Sequence, residues 1–452
     1  MEKIQYERPV IKRIVATMPD KFGIKSKMEP IIRIDGVPVK QLLSDFGSPL
    51  YVISERKIRE KYREARQAFS TRYPKVQFTW SYKTNYLNAV CNVYHQEGSW
   101  AEVVSGFEYE KALANGVPGK RIIFNGPYKS KEDLIRAVND EALIHIDNFD
   151  ELYTLVELAG TTEKKPKVAI RINMDTGIYP QWSRFGFNYD NGEAWEAVNR
   201  IMLSKKLELT GLHTHIGTYI MAAHPYQVAA AKMAELAVRI SKKYNHHINY
   251  IDLGGGFASK NTLKGAYLPG TDTCPGFEEY ADAITTVLIS SDIPQEHLPA
   301  LFLETGRALV DDAGYILGTV LANKRLADQK RAMIIDIGVN LLFTSFWYEH
   351  NIVPAQPFSY HTEECAICGP LCMNIDVIRE HIAFPILNKG DHVVISRIGA
   401  YNCTQWLQFI TYRPKVVMID MEGNPHVIRE NEDLKTLVSL EKTPEHLKKF
   451  KL

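Results

Sequence analysis

Between residues 50 and 310 the sequence alternates short apolar segments with amphipathic segments of helical period, and this alternation restricts the possible folds most. Eight parallel strands joined by crossover helices predict an α/β chain that forms a (β/α)8, TIM-type barrel. A doubly wound open sheet is the competing interpretation, but it would normally use fewer strands. Helical segments such as Glu108–Asn115, Lys131–Asn139 and Tyr226–Lys243 separate most of the strands. The eight candidate strands lie near Gln77–Ser81, Trp100–Val104, Arg121–Phe124, Ala142–Ile146, Val168–Ile172, Leu209–His213, Tyr250–Leu253 and Ala300–Leu303.

After about residue 311 the sequence becomes rich in strands and turns. This change predicts a separate antiparallel β domain over residues 311–452, beside a barrel over residues 46–310. Two domains also agree with a length of 452 residues. The candidate strands of the second domain are Tyr315–Leu321, Met333–Ile337, His392–Ile398 and Lys415–Ile419.

The net charge is close to zero, because 54 Lys and Arg residues are balanced by 53 Asp and Glu residues. Nucleic acids and anionic membrane surfaces are therefore not the expected partners. No segment approaches the roughly 18 apolar residues of a membrane span, and the N-terminus shows no signal peptide. Six cysteines without a secretory signal are typical of reduced thiols, so we expect a cytoplasmic protein.

Residues with distinctive chemistry follow the C-terminal ends of the predicted strands, where barrels build their active sites. Lys83 ends an apolar, aromatic strand, and we expect the barrel mouth to desolvate its amine and lower its pKa. An isolated lysine of this kind would be interpreted more simply as a surface residue. The other residues in such positions are Asn125, Arg171, His215, the run Gly254–Gly256 and Glu304.

The run Asp252-Leu253-Gly254-Gly255-Gly256-Phe257 closes a predicted strand with three glycines. Glycines let backbone N–H groups approach an anion closely, so the run predicts a phosphate cradle. The alternative is a flexible turn, and a nucleotide P-loop is disfavoured because the G-x-x-x-x-G-K-[ST] pattern is absent.

The order of these motifs resembles the fold-type III pyridoxal 5′-phosphate (PLP) decarboxylases, the alanine-racemase-like family of diaminopimelate, ornithine and arginine decarboxylases. It is most similar to the diaminopimelate branch. The resemblance covers nearly the whole chain, and it implies a homodimer in which residues 1–45 join the β domain. The motifs that carry it are Tyr82-Lys83-Thr84-Asn85, Glu102, His215-Ile216-Gly217-Thr218, Asp252 to Phe257, Glu304-Thr305-Gly306-Arg307, Cys368-Gly369-Pro370-Leu371-Cys372 and Gly399-Ala400-Tyr401.

The resemblance also implies a role for each motif residue. Lys83 would form the Schiff base, Glu304 would protonate the ring nitrogen and favour a quinonoid, and Cys372 of the partner subunit would return a proton. Glu102 stands near the ring nitrogen where the family usually has aspartate, and Thr305 replaces a usual proline. The remaining expected cofactor contacts are His215 stacked on the ring, and Thr218, Gly254, Gly255, Gly256, Gly306, Arg307 and Tyr401 around the phosphate and the substrate carboxylate.

The substrate region departs from the diaminopimelate pattern. Met373 replaces a glutamate that follows the cysteine, and Thr344 replaces an arginine, although Tyr348 remains. Both anchors for the distal end of diaminopimelate are missing, so we expect a different amino acid: a specialised one, a D-ornithine or D-lysine type, or a conjugate. The residues expected to contact the substrate are Arg307, Thr344, Tyr348, Met373 and Tyr401.

Three alternatives stay open at this point. The chain could be a diaminopimelate decarboxylase proper, a PLP racemase or dehydratase of the same fold, or a silent regulatory homologue. The presence of Lys83, the glycine run and Cys372 favours an enzyme. His213, Arg171 and Arg184 are further candidates that the sequence neither includes in the site nor excludes from it.

Cys365, Cys368 and Cys372 form a C-x2-C-x3-C cluster to which His361 or Cys403 could add a fourth metal ligand. This spacing does not match a standard zinc-ribbon or ferredoxin pattern, and Gly369 and Pro370 interrupt it. We therefore expect no metal.

Overall fold

The computed structural model describes residues 28–448 except 163, 267 and 360, and its larger unit is a closed barrel of eight parallel strands. Each strand pairs in parallel with the next along the chain, and the last pairs with the first through Leu301 and Val76. The predicted (β/α)8 fold is confirmed. The barrel strands are Val76–Ser81, Trp100–Val103, Ile122–Phe124, Leu143–Ile146, Lys167–Asn173, Glu208–Thr214, Tyr250–Asp252 and Ala300–Leu303.

Helices follow the barrel strands and pack their apolar faces against them. Several begin at a residue whose side chain caps the first turn, as Ser54 does by accepting a hydrogen bond from Lys57 N. Ser105, Ser130 and Asn148 cap three other helices in the same way. The helices are Glu55–Ser70, Asn88–Gln96, Gly106–Ala114, Lys131–Asn139, Phe149–Leu158, Glu193–Ser204, His224–Tyr244 and Phe277–Ser290, with shorter ones at Val39–Phe46, Gly270–Thr273, Arg307–Val310 and Leu434–Val438.

An apolar layer fills the lower interior of the barrel and supports the polar residues above it. Ile123, Ala169, Tyr250 and Phe302 form a buried cluster, in which the rings of Tyr250 and Phe302 stack with centroids 4.7 Å apart. Strand side chains alternate in direction, so the residue two positions further along the strand faces the same interior. This register places His145, Arg171, His213, Asp252 and Glu304 in the polar layer toward the C-terminal end.

The second unit is a largely antiparallel sheet, which confirms the predicted β domain. Two pairings are parallel: Arg331–Ile334 with Cys365–Cys368, and Tyr51–Ser54 with Val416–Ile419. The other strands of this sheet are Gly314–Arg325, Ile352–Pro354, Val377–Pro385, His392–Ser396 and Pro425–Arg429, and shorter paired strands lie at Arg33–Ile34, Val37–Pro38, Phe187–Asn188, Thr262–Leu263 and Tyr348–Glu349.

The strand Leu50–Ser54 pairs with this second sheet, through Gly314–Leu317 on one side and Val416–Ile419 on the other. The sheet thus takes in residues beyond position 45, where the sequence placed the end of the N-terminal contribution. An apolar strand followed by a helix does not reveal which of two sheets it joins, because its own periodicity is the same in both. None of the described helices is long and apolar enough to cross a membrane.

Candidate active site

A cavity of about 510 Å³ opens at the C-terminal end of the barrel strands. Ten of the residues that the sequence singles out for the cofactor or the substrate line it, although they come from distant parts of the chain. These are Lys83, Glu102, His215, Thr218, Gly256, Glu304, Gly306, Arg307, Tyr348 and Tyr401.

Lys83 directs its amine at Glu102, whose two carboxylate oxygens lie 2.8 and 2.6 Å from Nζ. Burial lowers the pKa of Lys83, but the charges of Glu102 and Glu304 raise it by more, so the pKa lies above its ordinary value. The expectation of a lowered pKa was wrong. It considered only the desolvation of the amine, whereas two carboxylates beside the amine stabilise its charged form. Ser81 also bonds to Glu102, at 2.5 Å, and fixes its second oxygen.

Glu304 lies at the floor of the cavity and is held from several sides. Asn125 donates an amide hydrogen to its Oε1, and the same amide lies 3.3 Å from Oε1 of Glu102. His213 Nε2 lies 3.4 Å from Oε2 of Glu304, and His145 Nδ1 lies 3.9 Å from Oε1. The carboxylate of Glu304 therefore has a fixed orientation at the point where the barrel interior is most enclosed.

Asp252 is fully buried behind Glu304. Burial raises the pKa of Asp252 well above its ordinary value, and the charge of Glu304 raises it further. Burial and Glu304 thus both favour the neutral form of the Asp252 carboxyl, while its Oδ1 accepts a bond from Gly254 N at 2.8 Å.

His213 and His215 line the same cavity as Glu304, and both favour the neutral form of the imidazole. Burial, followed by the nearby cations, lowers the pKa of His213 and of His215 well below the ordinary value. His215 accepts a hydrogen bond from Gly255 N at Nδ1, at 3.1 Å, which fixes its ring in the cavity wall. Trp182 meets this ring edge to face, with centroids 5.3 Å apart.

The glycine run packs so closely that its glycines cannot be replaced by larger residues. Gly254 has φ +66°, and a Cβ there would meet His215 Nδ1 at 2.7 Å. A Cβ on Gly255 would meet the carbonyl oxygen of Glu304 at 2.3 Å. Of the three glycines, Gly256 lines the cavity, so the loop brings bare backbone to the cavity wall, as an anion cradle requires.

Arg307 supplies the positive charge at the same end. Its guanidinium donates to the hydroxyl of Tyr348 and, at 3.3 Å, to Thr218 Oγ1. It also lies 4.6 Å from the centroid of the Tyr401 ring, within cation–π range. Tyr401 itself has φ +65°, which is unusual for a residue with a Cβ.

Six other residues named from the sequence do not line the cavity of their own chain, and Gly254 and Gly255 are two of them. Thr344 is buried, and its hydroxyl bonds to His350 Nε2 at 2.8 Å and to Asn402 Oδ1 at 2.9 Å, so it is not available to a substrate. Cys372 is exposed and Met373 half-buried on a loop of the β domain, while Arg184 is exposed over the Phe185 ring.

Arg171 and His213, which the sequence left open, both line the cavity, and so do several residues that the sequence did not single out. Gln405 stands four residues after Tyr401, and only that spacing could have pointed to it. Trp182 and Phe185 belong to the segment after the strand Lys167–Asn173, which no motif marks.

The residues present fit PLP on two observations of this structure. The cavity has an oriented acid, Glu304, at its enclosed floor, where a ring nitrogen needs a partner. It also has a glycine cradle with Arg307 and Thr218 beside it, which suits a phosphate.

One group of described residues has the composition and spacing of a metal site: His145, His213 and Glu304, whose nearest ligand atoms all lie within 4.8 Å of one another. These are the residues that orient the acid at the cavity floor. Of the three clustered cysteines, Cys365 is buried in a strand, Cys368 is half-buried and Cys372 is exposed.

Comparison with known proteins places this cavity in a family context. Residues 55–311 match the family described as "Pyridoxal-dependent decarboxylase, pyridoxal binding domain". The diaminopimelate decarboxylase of Aquifex aeolicus is 30% identical over 420 residues, covering 90% of this chain and 94% of that protein. The crystal structure of diaminopimelate decarboxylase from Methanocaldococcus jannaschii superimposes with a TM-score of 0.84 at 28% identity, covering 94% of this chain and 99% of that one. A second structure of the latter enzyme, in complex with L-lysine, also gives a TM-score of 0.84 at 28% identity, covering 92% and 96%.

Proposed function

Because the chain belongs to the pyridoxal-dependent decarboxylases, we propose that its cavity removes the α-carboxyl group of an amino acid whose side chain ends without a charge. The enzyme is a carboxy-lyase, and its cofactor is pyridoxal 5′-phosphate. When bound, the cofactor supplies an aldehyde that captures an amino group and an electron-poor ring that accepts the electron pair left by CO2.

Three residues would hold and tune the ring. Lys83 offers its amine for covalent attachment, and Glu102 is the adjacent base that can take the ammonium proton. Glu304 would keep a proton on the ring nitrogen, because Asn125 orients its carboxylate at the enclosed floor of the cavity. The arrangement at the cavity floor carries this proposal, since it combines an amine, an oriented carboxylate and a flat imidazole within one enclosed space.

The phosphate would lie at the opposite end. The backbone at Gly256, the Thr218 hydroxyl, Arg307 and Tyr401 are the groups proposed to bind it, whereas the N–H groups of Gly254 and Gly255 already donate to Asp252 and His215. The α-carboxylate of the substrate would share Arg307, the cation nearest to both.

We assign the final proton transfer to Cys372. Loss of CO2 breaks the bond between the α-carbon and the carboxyl carbon, and the thiol proton then completes the new C–H bond at the α-carbon. Cys372 is exposed and outside its own cavity, which supports a homodimer in which each subunit supplies this thiol to its partner.

The charged residues lining the described cavity already have partners. Lys83 bonds to Glu102, Glu304 to Asn125, and Arg307 to Tyr348. Arg171 is also occupied, because its guanidinium lies 3.7 Å from Asp147.

The rest of the wall is uncharged. Trp182, Phe185, Leu263 and Trp347 are apolar, and Gln405 is a neutral amide. The loop that would come from the partner, Gly369–Ile375, contains no charged residue. The ammonium and carboxylate at the distal end of a substrate such as diaminopimelate would therefore lose their water without gaining a hydrogen-bond partner. An apolar or aromatic substrate side chain would instead be stabilised by burial.

The relatives favour a second candidate, diaminopimelate, since relatives about 30% identical over 90% or more of this chain carry the name diaminopimelate decarboxylase. CO2 release from meso-diaminopimelate, D- and L-lysine, D- and L-ornithine, and amino acids with aromatic or acylated tails would separate the two. The Lys83→Ala variant is the blank. A kcat/KM for meso-diaminopimelate that exceeds those of all uncharged-tail substrates would establish the second candidate instead.

A further inference from the structure

Asp311 is a fully buried carboxylate that does not line the cavity but lies between three segments that do. Its Oδ2 accepts hydrogen bonds from Ser259 Oγ at 2.5 Å and from Asn261 Nδ2 at 3.1 Å. Its Oδ1 accepts a bond from Ala400 N at 3.0 Å. The side chain thus joins the end of the helix that begins at Arg307 to two loops from elsewhere in the sequence.

The first of these loops carries Tyr401. Tyr401 has a left-handed φ of +65°, which is unfavourable for a residue with a Cβ. Contacts with other segments must therefore hold the loop in this conformation. Two further bonds help Asp311 to do so: Tyr401 N donates to Thr84 O at 2.8 Å, and Asn85 Nδ2 donates to Gly399 O at 3.0 Å. The result is that the Tyr401 ring stays against Arg307.

The second loop continues the glycine run. After Asn261 the chain forms the short strand Thr262–Leu263, which pairs with Tyr348–Glu349. Lys264 N donates to Trp347 O at 2.8 Å, so this loop also fixes the wall that Trp347 and Tyr348 provide. Asp311 is the side chain that holds the start of this segment in place.

Charges around Asp311 keep it usable as an acceptor near neutral pH. Burial raises its pKa to about 6, and Arg307 opposes that effect. Asp312, which lies 3.5 Å from Arg397 Nε, raises the pKa slightly, and the hydroxyls of Tyr219 and Tyr348 face the same region.

We propose that Asp311 is a positioning residue for cofactor retention, which orders Tyr401 and Arg307 and the loop after the glycine run without touching the cofactor. The proposal rests on the proposed placement of the phosphate beside Arg307 and Tyr401. Losing the Asp311 side chain removes its hydrogen bond to Ala400 N in the Tyr401 loop and leaves the Arg307 charge without its buried counter-charge.

The test is the dissociation constant of PLP, measured by absorbance titration of apoenzyme prepared from the wild type, Asp311→Ala, Asp311→Asn and Asp312→Asn. Asp311→Ala is expected to raise the dissociation constant roughly tenfold or more, because three hydrogen bonds to a charged acceptor are lost. Asp311→Asn keeps an acceptor for Ala400 N and is expected to recover part of the loss. Asp312→Asn makes the same chemical change one residue away and is expected to leave the constant near that of the wild type.

A pH series separates positioning from general support of the fold. Below pH 6 the wild-type carboxyl is itself neutral, so the ratio between the Asp311→Asn and wild-type constants should approach one as the pH falls from 7.5 to 5.5. Equal constants for wild type and Asp311→Ala at pH 7.5, or a ratio independent of pH, would overturn the proposal. If Asp311→Ala does not fold, Ser259→Ala with Asn261→Ala removes two of the same bonds and must weaken PLP binding. Failure of the wild type to bind PLP would instead refute the proposed function.

Discussion

Both carboxylate oxygens of Glu102 lie within hydrogen-bonding distance of Lys83 Nζ, at 2.8 and 2.6 Å. This contact holds the amine in its charged form, so the amine must lose a proton before it can react with an aldehyde. Glu102 is the carboxylate placed to accept that proton.

Lys83→Ala should abolish covalent attachment of the cofactor, since Lys83 is the lysine among the described residues that line the cavity. The visible absorbance of the holoenzyme should disappear, and borohydride treatment should no longer add the mass of the cofactor to the protein. Lys131→Ala, which removes an exposed lysine, is the matched control and should behave as the wild type. Retention of a borohydride-stable adduct in Lys83→Ala would disprove the assignment.

Mixed dimers test the shared site. Lys83→Ala and Cys372→Ala homodimers should each be inactive, yet subunit exchange between them should restore activity, because one site of the mixed dimer combines an intact barrel with an intact thiol. Lys83→Ala mixed with Glu304→Ala is the control, since both barrels are then defective and no activity should return. Proven exchange without recovery would show that Cys372 does not act across the interface.

Met373→Glu should create a partner for a distal ammonium. A hydrogen bond to a charged group contributes about 1.5–3 kcal/mol, so kcat/KM for meso-diaminopimelate should rise about 10- to 100-fold. Met373→Gln has nearly the same shape without the charge and should give a much smaller gain. No difference between the two variants would show that this side chain does not reach the tail of the substrate.

Asp252→Asn should be tolerated, because burial and the charge of Glu304 raise the pKa of the Asp252 carboxyl and favour its neutral form. The asparagine oxygen can accept from Gly254 N, as Asp252 Oδ1 does now. Asp252→Leu removes this acceptor and should weaken kcat/KM and PLP binding by about 10- to 100-fold. If Asp252→Asn were as defective as Asp252→Leu, Asp252 would have to act in its ionised form.

His350→Gln should make the protein less sensitive to acid. Burial lowers the pKa of His350 to about 3, so its neutral form contributes stability above pH 6.5 that is lost as the pH falls toward 3. At pH 5 the wild type should have lost about 2 kcal/mol of unfolding free energy from this residue, relative to pH 7.5. Glutamine can still donate a hydrogen bond to Thr344 but does not titrate. The free energy of unfolding of the variant, measured by urea denaturation, should therefore lack this part of the pH dependence.

The sequence determined the barrel and brought most of the predicted cofactor residues to one cavity. Alternating apolar and amphipathic segments are a local property, and they located all eight barrel strands within a residue or two of their observed bounds. Because parallel strands in a barrel all end at one face, residues that follow strands had to meet there, as Lys83, His215 and Glu304 do.

Only the tertiary structure determined the pKa shifts and showed which side chains already hydrogen-bond to other residues. The raised pKa of Lys83, the raised pKa of Asp252 and the withdrawal of Thr344 from the cavity each depend on side chains that lie far away in the sequence. Charge interactions and burial change steeply over a few ångströms, whereas sequence patterns fix positions only to an element and a face. The sequence therefore identified many of the groups that share the cavity, and the folded structure determined which others join them and in which direction burial and charge shift their pKa values.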